Sequence, residues 1–235
     1  RERPERSELT ASPTCAITPR VTEPAFRTEA PAGAAIDKRE RILRAAIRIF
    51  AKKGFHSARV SDIAKAARIA DGTVYLYFKS KDDILLSLFD DRFEKLIAGL
   101  KAELERVPGA AAKLRRVIEM QLGLLEGQRE LAEVLTVNLR SSARFLKRNA
   151  EPRFRAYLDV LAGVVAEGQQ QGSFKKHLSP RIVARSLFGA LDGLALTWAL
   201  GRAEPGELTR AARQLADIVL GGLEQSHSPS NGGSE

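Results

Sequence analysis

IAKAARIADGTVYLYFKSK, residues 63–81, is the stretch on which the reading of this chain turns. Extended back to Val60, its first part places Val60, Ile63, Ala64 and Ala67 at i, i+3, i+4 and i+7, the apolar stripe of a short helix over about 60–67. The alanines on that stripe are small enough to let another helix approach closely. A turn follows over 68–70, and Asp71 is placed to cap a further helix from which Val74 and Phe78 point inward. Thr73, Tyr75, Leu76 and Tyr77 are left for the outer surface and its ends. Tyr75, Tyr77 and Phe78 are more aromatics than one short helix can bury, and tyrosine hydroxyls suit phosphate oxygens. Helix, tight turn and second helix in this order form the helix-turn-helix pattern, whose second helix lies in the major groove of DNA.

Upstream, the spacing predicts a supporting helix from an Asp37 cap to Lys53. Ile42, Leu43, Ala46, Ile47 and Phe50 make one stripe, with Lys38, Arg39, Arg41, Arg44 and Arg48 around it. Gly54 fits the position just past the helix end, and Phe55 can close the hydrophobic contact of such a cap. His56 reads as a turn residue rather than a metal ligand. Downstream, a long fourth helix is expected over 81–106 and is broken at Pro108-Gly109. Helices then follow over about 110–127, 129–148, 151–171, 180–201 and 206–225, with Ser179 as a cap and Pro180 in the first helical position. Neither a period-two alternation nor an internal repeat is present, so the expected fold is all-α. Residues 1–35 carry no helical or strand period and read as a disordered tail, and 226–235 as a flexible one.

With 44% hydrophobic and 29% charged residues, the 235-residue chain has the mix of an ordinary globular protein. The net charge of +9 is concentrated: residues 36–81 hold twelve Lys and Arg against four Asp and Glu, whereas 82–235 hold twenty-one against twenty. That local surplus is what attraction to phosphates through counterion release requires. The single cysteine, Cys15, excludes an intrachain disulfide framework and points to a reducing, cytoplasmic setting. Ser186 to Gly201 is the best apolar run; it is short for a bilayer and contains Asp192. His56, His177 and His227 are scattered, and neither a serine-centred nucleophile elbow nor a Gly-rich phosphate loop occurs. The chain therefore reads as a binding protein rather than an enzyme, with no metal and no bound cofactor.

FAKKGF at 50–55, VSDIAKAA at 60–67 and DGTVYLYFKSKDDIL at 71–85 resemble the DNA-binding domain of TetR-type repressors over about residues 38–90. The resemblance implies a three-helix DNA-binding domain over 36–81 and a larger helical ligand-binding and dimerisation domain over 82–225. Carried over by position, the operator contacts fall on Ser61, Gly72, Thr73, Tyr75, Leu76, Tyr77 and Lys81. Gly72 lets the backbone approach closely, Thr73 and Leu76 can meet a thymine methyl, and Tyr75, Tyr77 and Lys81 suit phosphates. Lys79 is a further phosphate candidate from its charge alone. Two departures stand out. The turn position usually held by glycine is Arg68, for which a positive φ is costly, so a slightly altered turn and an added phosphate contact from Arg68 are expected. The usual serine cap is Ala70, which leaves Asp71 to cap.

ADGTVYLYFKSKDDILLSLF at 70–89 and FGALDGLALTWAL at 188–200 are similar to the FadR group of TetR-type regulators of fatty-acid degradation, which respond to long-chain acyl-CoA. That similarity implies a small hydrophobic effector of this class. Leu135, Leu139, Phe188 and Trp198 are candidates to line its site, although Phe188 and Trp198 suit a plain core or dimer interface equally well. Arg140, Arg144 and Arg148, with Lys147, Arg153 and Arg155, form a basic cluster able to meet CoA phosphates or to lie on a solvated loop. A homodimer through 180–225 would read a palindrome, with Ala184, Gly189, Ala190, Gly193, Ala211, Ala212 and Ala216 allowing close packing. Other readings stay open: an efflux-pump regulator answering to hydrophobic or cationic compounds, a non-specific architectural DNA-binding protein, and an acyl-CoA hydrolase.

Overall fold

A computed structural model describes residues 37–138, 151–202 and 204–225. The carboxylate of Asp37 accepts the Arg39 amide at 3.3 Å and satisfies one donor of the first helical turn. Helix α1 (Lys38–Ser57) follows, but its regular part stops at Gly54, where φ 73° and ψ 158° suit glycine alone. There the chain doubles back and Phe55 packs on Phe50 with ring centroids 5.5 Å apart. After α2 (Val60–Ala67) and α3 (Asp71–Tyr75) comes α4 (Lys81–Leu104), capped by Ser80, whose hydroxyl accepts the Asp83 amide at 3.1 Å. Asp71 does not cap α3. Ala70 holds the cap position without a side-chain oxygen, so Asp71 becomes the first helical residue and its charge faces the positive end of the peptide dipoles.

The apolar stripes read from the sequence meet in two buried clusters. The first joins Ile42, Leu43, Ala46 and Phe50 of α1 to Ile63 and Ala64 of α2, to Val74 and Phe78, and to Ile84, Leu85, Leu88 and Phe89 of α4. The second is built on α5 (Ala110–Leu125), α7 (Glu151–Gln170), α8 (Pro180–Leu200) and α9 (Glu207–Leu223), with Leu100 from the far end of α4. Helix α5 packs along α9, and α7 along α8. Helix α4 thus serves both clusters, and its Phe93 packs against each.

Between them lie α6 (Arg129–Glu133) and a single π turn, Val134–Asn138, both packed on α1. Val134 is fully buried in the first cluster. The helix expected over 129–148 is therefore not regular. Its backbone widens after Glu133, where the Thr136 hydroxyl donates to the Ala132 carbonyl at 2.7 Å, a back-bond that bends helices. The rest of that expected helix lies outside the described residues, as do the two expected tails and Cys15.

Three further expectations change. Ser179 sits at the cap position of α8 with Pro180 next, yet its hydroxyl makes no capping bond. Ala184, Ala212 and Ala216 are buried in the second cluster and cannot form an interface, because they already let α8 and α9 approach their neighbours. Helix α8 is longer than its apolar run and, at 21 residues, has the length and composition to cross a bilayer; it instead turns Leu187, Leu191, Ala195 and Trp198 into the protein core. Among the described residues the only β pairing is one antiparallel bridge, Phe174 with Glu224, which ties the α7–α8 loop to the end of α9.

Gly168 on α7 is held to its size by Phe174, because a Cβ there would lie 2.1 Å from the buried ring. Gly168→Ala is expected to cost about 1–3 kcal/mol by overpacking. Gly163→Ala, on the same helix with nothing within 4 Å of the added carbon, is expected to stabilise by about 0.5–1 kcal/mol through backbone entropy. Urea midpoints of the two variants check this, and equal midpoints would show that Phe174 moves aside freely.

Candidate nucleic-acid interface

Residues 71–78 divide cleanly between core and surface. Val74 and Phe78 are buried in the first cluster, which fixes the azimuth of α3. Leu76 is 82% exposed, Tyr75 58% and Tyr77 40%, side by side on the outer face. Leaving a leucine in water forgoes about 1.5–3 kcal/mol that burial would supply, so folding does not account for its place there. Gly72 is exposed on the first turn of α3, Thr73 is half-buried, and Ser61 is exposed on the first turn of α2. Nothing lies within 4 Å of where a Gly72 Cβ would stand, so a backbone or base can come close.

The turn before α3 keeps its left-handed residue without glycine. Arg68 adopts φ 57° and ψ 50° as the one described non-glycine at positive φ. Its amide donates to Lys65 O at 3.1 Å and the Ile69 amide to Ala64 O at 3.1 Å, the two bonds of a Schellman helix end. Two arginines of α1 reinforce it: Arg41 donates to Ala67 O at 2.7 Å and Arg68 O at 3.3 Å, and Arg48 to Ala66 O at 3.3 Å. Those bonds outweigh a left-handed penalty of about 1 kcal/mol, so the altered turn expected from Arg68 does not occur. The guanidinium of Arg68 stays exposed, as does the Lys79 ammonium.

Other cations of this segment are spent on the fold. Lys53 pairs with Asp62 at 2.8 Å; that bond, with the Arg59 amide at 3.1 Å, holds the Asp62 carboxyl below the usual aspartate range. Lys81 is the most engaged of the residues expected to contact DNA. Its ammonium donates to His56 O at 2.9 Å and Ala58 O at 3.0 Å, and lies 4.7 Å from the centre of the Phe55 ring.

Of the residues expected to line an effector site, Phe188 joins an aromatic cluster inside the second half. It meets Phe154 edge-on at 4.8 Å and Tyr157 at 6.1 Å, and Tyr157 meets Phe93 at 5.8 Å. The Tyr157 hydroxyl, fully buried, shares hydrogen bonds with the Gln121 amide at 2.7 and 2.9 Å, and burial drives its pKa well above the usual range. Trp198 is buried in the same core, and its indole N–H has no hydrogen-bond partner among the described residues. Leu135 is brought to neither: it follows Val134 onto α1 and packs against the first cluster. Leu139, Arg140, Arg144, Lys147 and Arg148 lie outside the described residues. Arg153 bridges α7 to α4, 3.1 Å from both Asp90 and Glu94, while Arg155 is exposed. Burial raises the Asp90 carboxyl against the pull of Arg153. No cluster of potential metal ligands occurs among the described residues.

Sequence reasoning did not find the carbonyl braces of Arg41 and Arg48, the Gln121–Tyr157 pair or the Arg153 bridge. The arginines were visible as a basic face, but their partners stand 26, 18 and 59 residues away.

Residues 42–88 match the family described as bacterial regulatory proteins, tetR family, and residues 89–222 match the YsiA-like protein, C-terminal region. The fatty acid metabolism regulator protein of Bacillus subtilis is 34% identical over 182 residues, covering 77% of this chain and 93% of that one. The crystal structure of FadR from Bacillus subtilis in complex with stearoyl-CoA superposes with a TM-score of 0.74 at 34% identity, covering 78% of this chain and 98% of that one. FadR from Bacillus halodurans gives a TM-score of 0.76 at 31% identity, covering 80% and 97%.

Arg68→Gly separates the backbone conformation observed at this position from the phosphate contact expected of it. It should raise stability by about 1 kcal/mol by relieving the left-handed conformation. It should also weaken DNA binding by a similar factor on every sequence, since a phosphate contact carries no base preference. Thermal unfolding and binding to matched and scrambled duplexes read the two effects separately; loss confined to one sequence would place Arg68 on a base instead.

Proposed function

The chain belongs to the TetR family of transcriptional regulators, and on that premise we propose that it is a homodimeric repressor of the cytoplasm that binds a palindromic operator and is released by long-chain acyl-CoA. The observation that carries the DNA half is the exposed row Tyr75, Leu76 and Tyr77, set by buried Val74 and Phe78 in the most basic part of the chain. Thr73 and Leu76 read base edges, and Tyr75, Tyr77, Arg68 and Lys79 hold phosphates. The effector half rests on the likeness to two FadR proteins above 30% identity over nearly their whole length, one of them solved with stearoyl-CoA. Genes of fatty-acid metabolism are the targets that this likeness suggests.

One such head reads too few base pairs for useful specificity, so two must act together. The outer face of α8 presents Ile182, Ser186, Gly189, Gly193 and Leu200 at heptad spacing, and α9 adds Ile218, 72% exposed. A Cβ at Gly189 or Gly193 would meet nothing, so a second copy can approach closely. Such a pair makes a four-helix contact across a two-fold axis. Effector can shift the balance only by its differential affinity for the DNA-competent and released forms. The Arg153 bridge from α7 to Asp90 and Glu94 gives the effector half a grip on the helix that enters the head.

Release of an operator duplex by stearoyl-CoA, stearate and a cationic dye tests the effector. Release by stearoyl-CoA alone is expected, whereas release by the dye alone makes the chain an efflux regulator. Ile218→Glu should give monomers in sedimentation and weaken operator binding by about 100-fold, the avidity lost with the second head. A dimer that survives this change, with binding intact, rules out the α8–α9 interface.

A further inference from the structure

Lys81 stands where a phosphate ligand is expected, yet its geometry is that of an internal brace. Two of its three N–H groups are directed at the carbonyls of His56 and Ala58, at 2.9 and 3.0 Å, and its charge rests over the Phe55 ring. The two carbonyls belong to the loop that ends α1 and starts α2, and Phe55 closes the end of α1 on Phe50. These contacts fix the ammonium beside the loop with one N–H uncommitted, so a phosphate that drew it outward would cost Lys81 its hold on the two carbonyls. Arg39 is engaged with the Phe78 ring at 5.6 Å, Arg41 and Arg48 with carbonyls, Arg44 with Glu40 and Lys53 with Asp62. By contrast Lys38, Lys52, Lys65, Arg68 and Lys79 are exposed, with no side-chain partner among the described residues.

We propose that Lys81 is a positioning residue that ties the α1–α2 loop to the first turn of α4, and that operator phosphates are neutralised instead by the exposed cations, Arg68 and Lys79 foremost. The brace sets where α2, and with it the turn and α3, stands relative to the one helix that continues into the second half. The segment's surplus of positive charge accordingly divides into cations that shape the head and cations that face DNA. Fewer counterions are released on binding than twelve basic residues suggest.

Full-length protein and a duplex enriched from a random library by the wild-type chain provide the test. The logarithm of the binding constant is plotted against the logarithm of salt concentration for each variant. Lys79→Gln and Arg68→Gln should each flatten the slope by about 0.9, one phosphate contact apiece. Lys81→Met, which keeps the apolar stem, should weaken binding several-fold with its slope unchanged. It should also raise amide exchange over residues 56–61 by about tenfold, while 63–67 stay protected. If Lys81→Met does not fold, Lys81→Gln, whose amide still reaches one carbonyl, is read in the same way. A slope flattened by Lys81→Met, with exchange unchanged, overturns the brace. Unaltered slopes for Arg68→Gln and Lys79→Gln overturn the phosphate assignment. Failure to enrich any duplex rejects the operator reading itself, and the exchange measurement still decides the brace.

Discussion

Phe89 and Phe93, one turn apart on α4, stack with ring centroids 4.1 Å from each other, and the two halves of the molecule meet on that pair. Phe89 belongs to the buried cluster of the DNA-binding head; Phe93 packs against both clusters and meets Tyr157 edge-on. Close-packed rings do not deform gradually, so a shift on one side must be taken up as a shift on the other. The pair makes α4 a close-packed connection between the two halves. Val134 and the π turn add a second one, reaching from the other half onto α1.

Charge divides along the same lines. Within the head, cations near backbone carbonyls act over short, fixed distances: Arg41 and Arg48 close the end of α2, and Lys81 holds its beginning. Such charge-assisted bonds make a small domain stiffer than its apolar area alone would. The remaining cations lie in water, where they attract phosphate over a Debye length but do little for stability. A single number for net charge hides this division, because both groups count alike.

The elements were largely legible in the chain itself. Stripes at helical spacing placed α1 and α2, and most residues they named are buried, Ile42, Leu43, Ala46 and Phe50 on α1 and Ile63, Ala64 and Ala67 on α2, while Ile47 and Val60 are half-buried. Gly54 was readable as a helix end because only glycine tolerates its backbone, and Phe55 as its hydrophobic closure. Asp71 was misread as a cap because its side chain could have served; Ala70 took the position when the turn was closed by bonds from Arg68 and Ile69 instead. Leu135 packs against the first cluster, in a π turn that replaces the regular helix expected around it.

The sequence by itself determined most of the helices, the basic head with its exposed tyrosines, and the family. Those depend on local spacing, on the backbone freedom of single residues and on motifs within one stretch. Only the tertiary structure decided which cations are engaged with backbone carbonyls and which stand exposed, because a carbonyl acceptor leaves no trace in residue type. It also decided that α4 is shared by two cores, that Ala184, Ala212 and Ala216 are spent within one protomer, and that Arg153 reaches Asp90 and Glu94. Each of these is a meeting between residues far apart in the chain, and packing alone selects such partners.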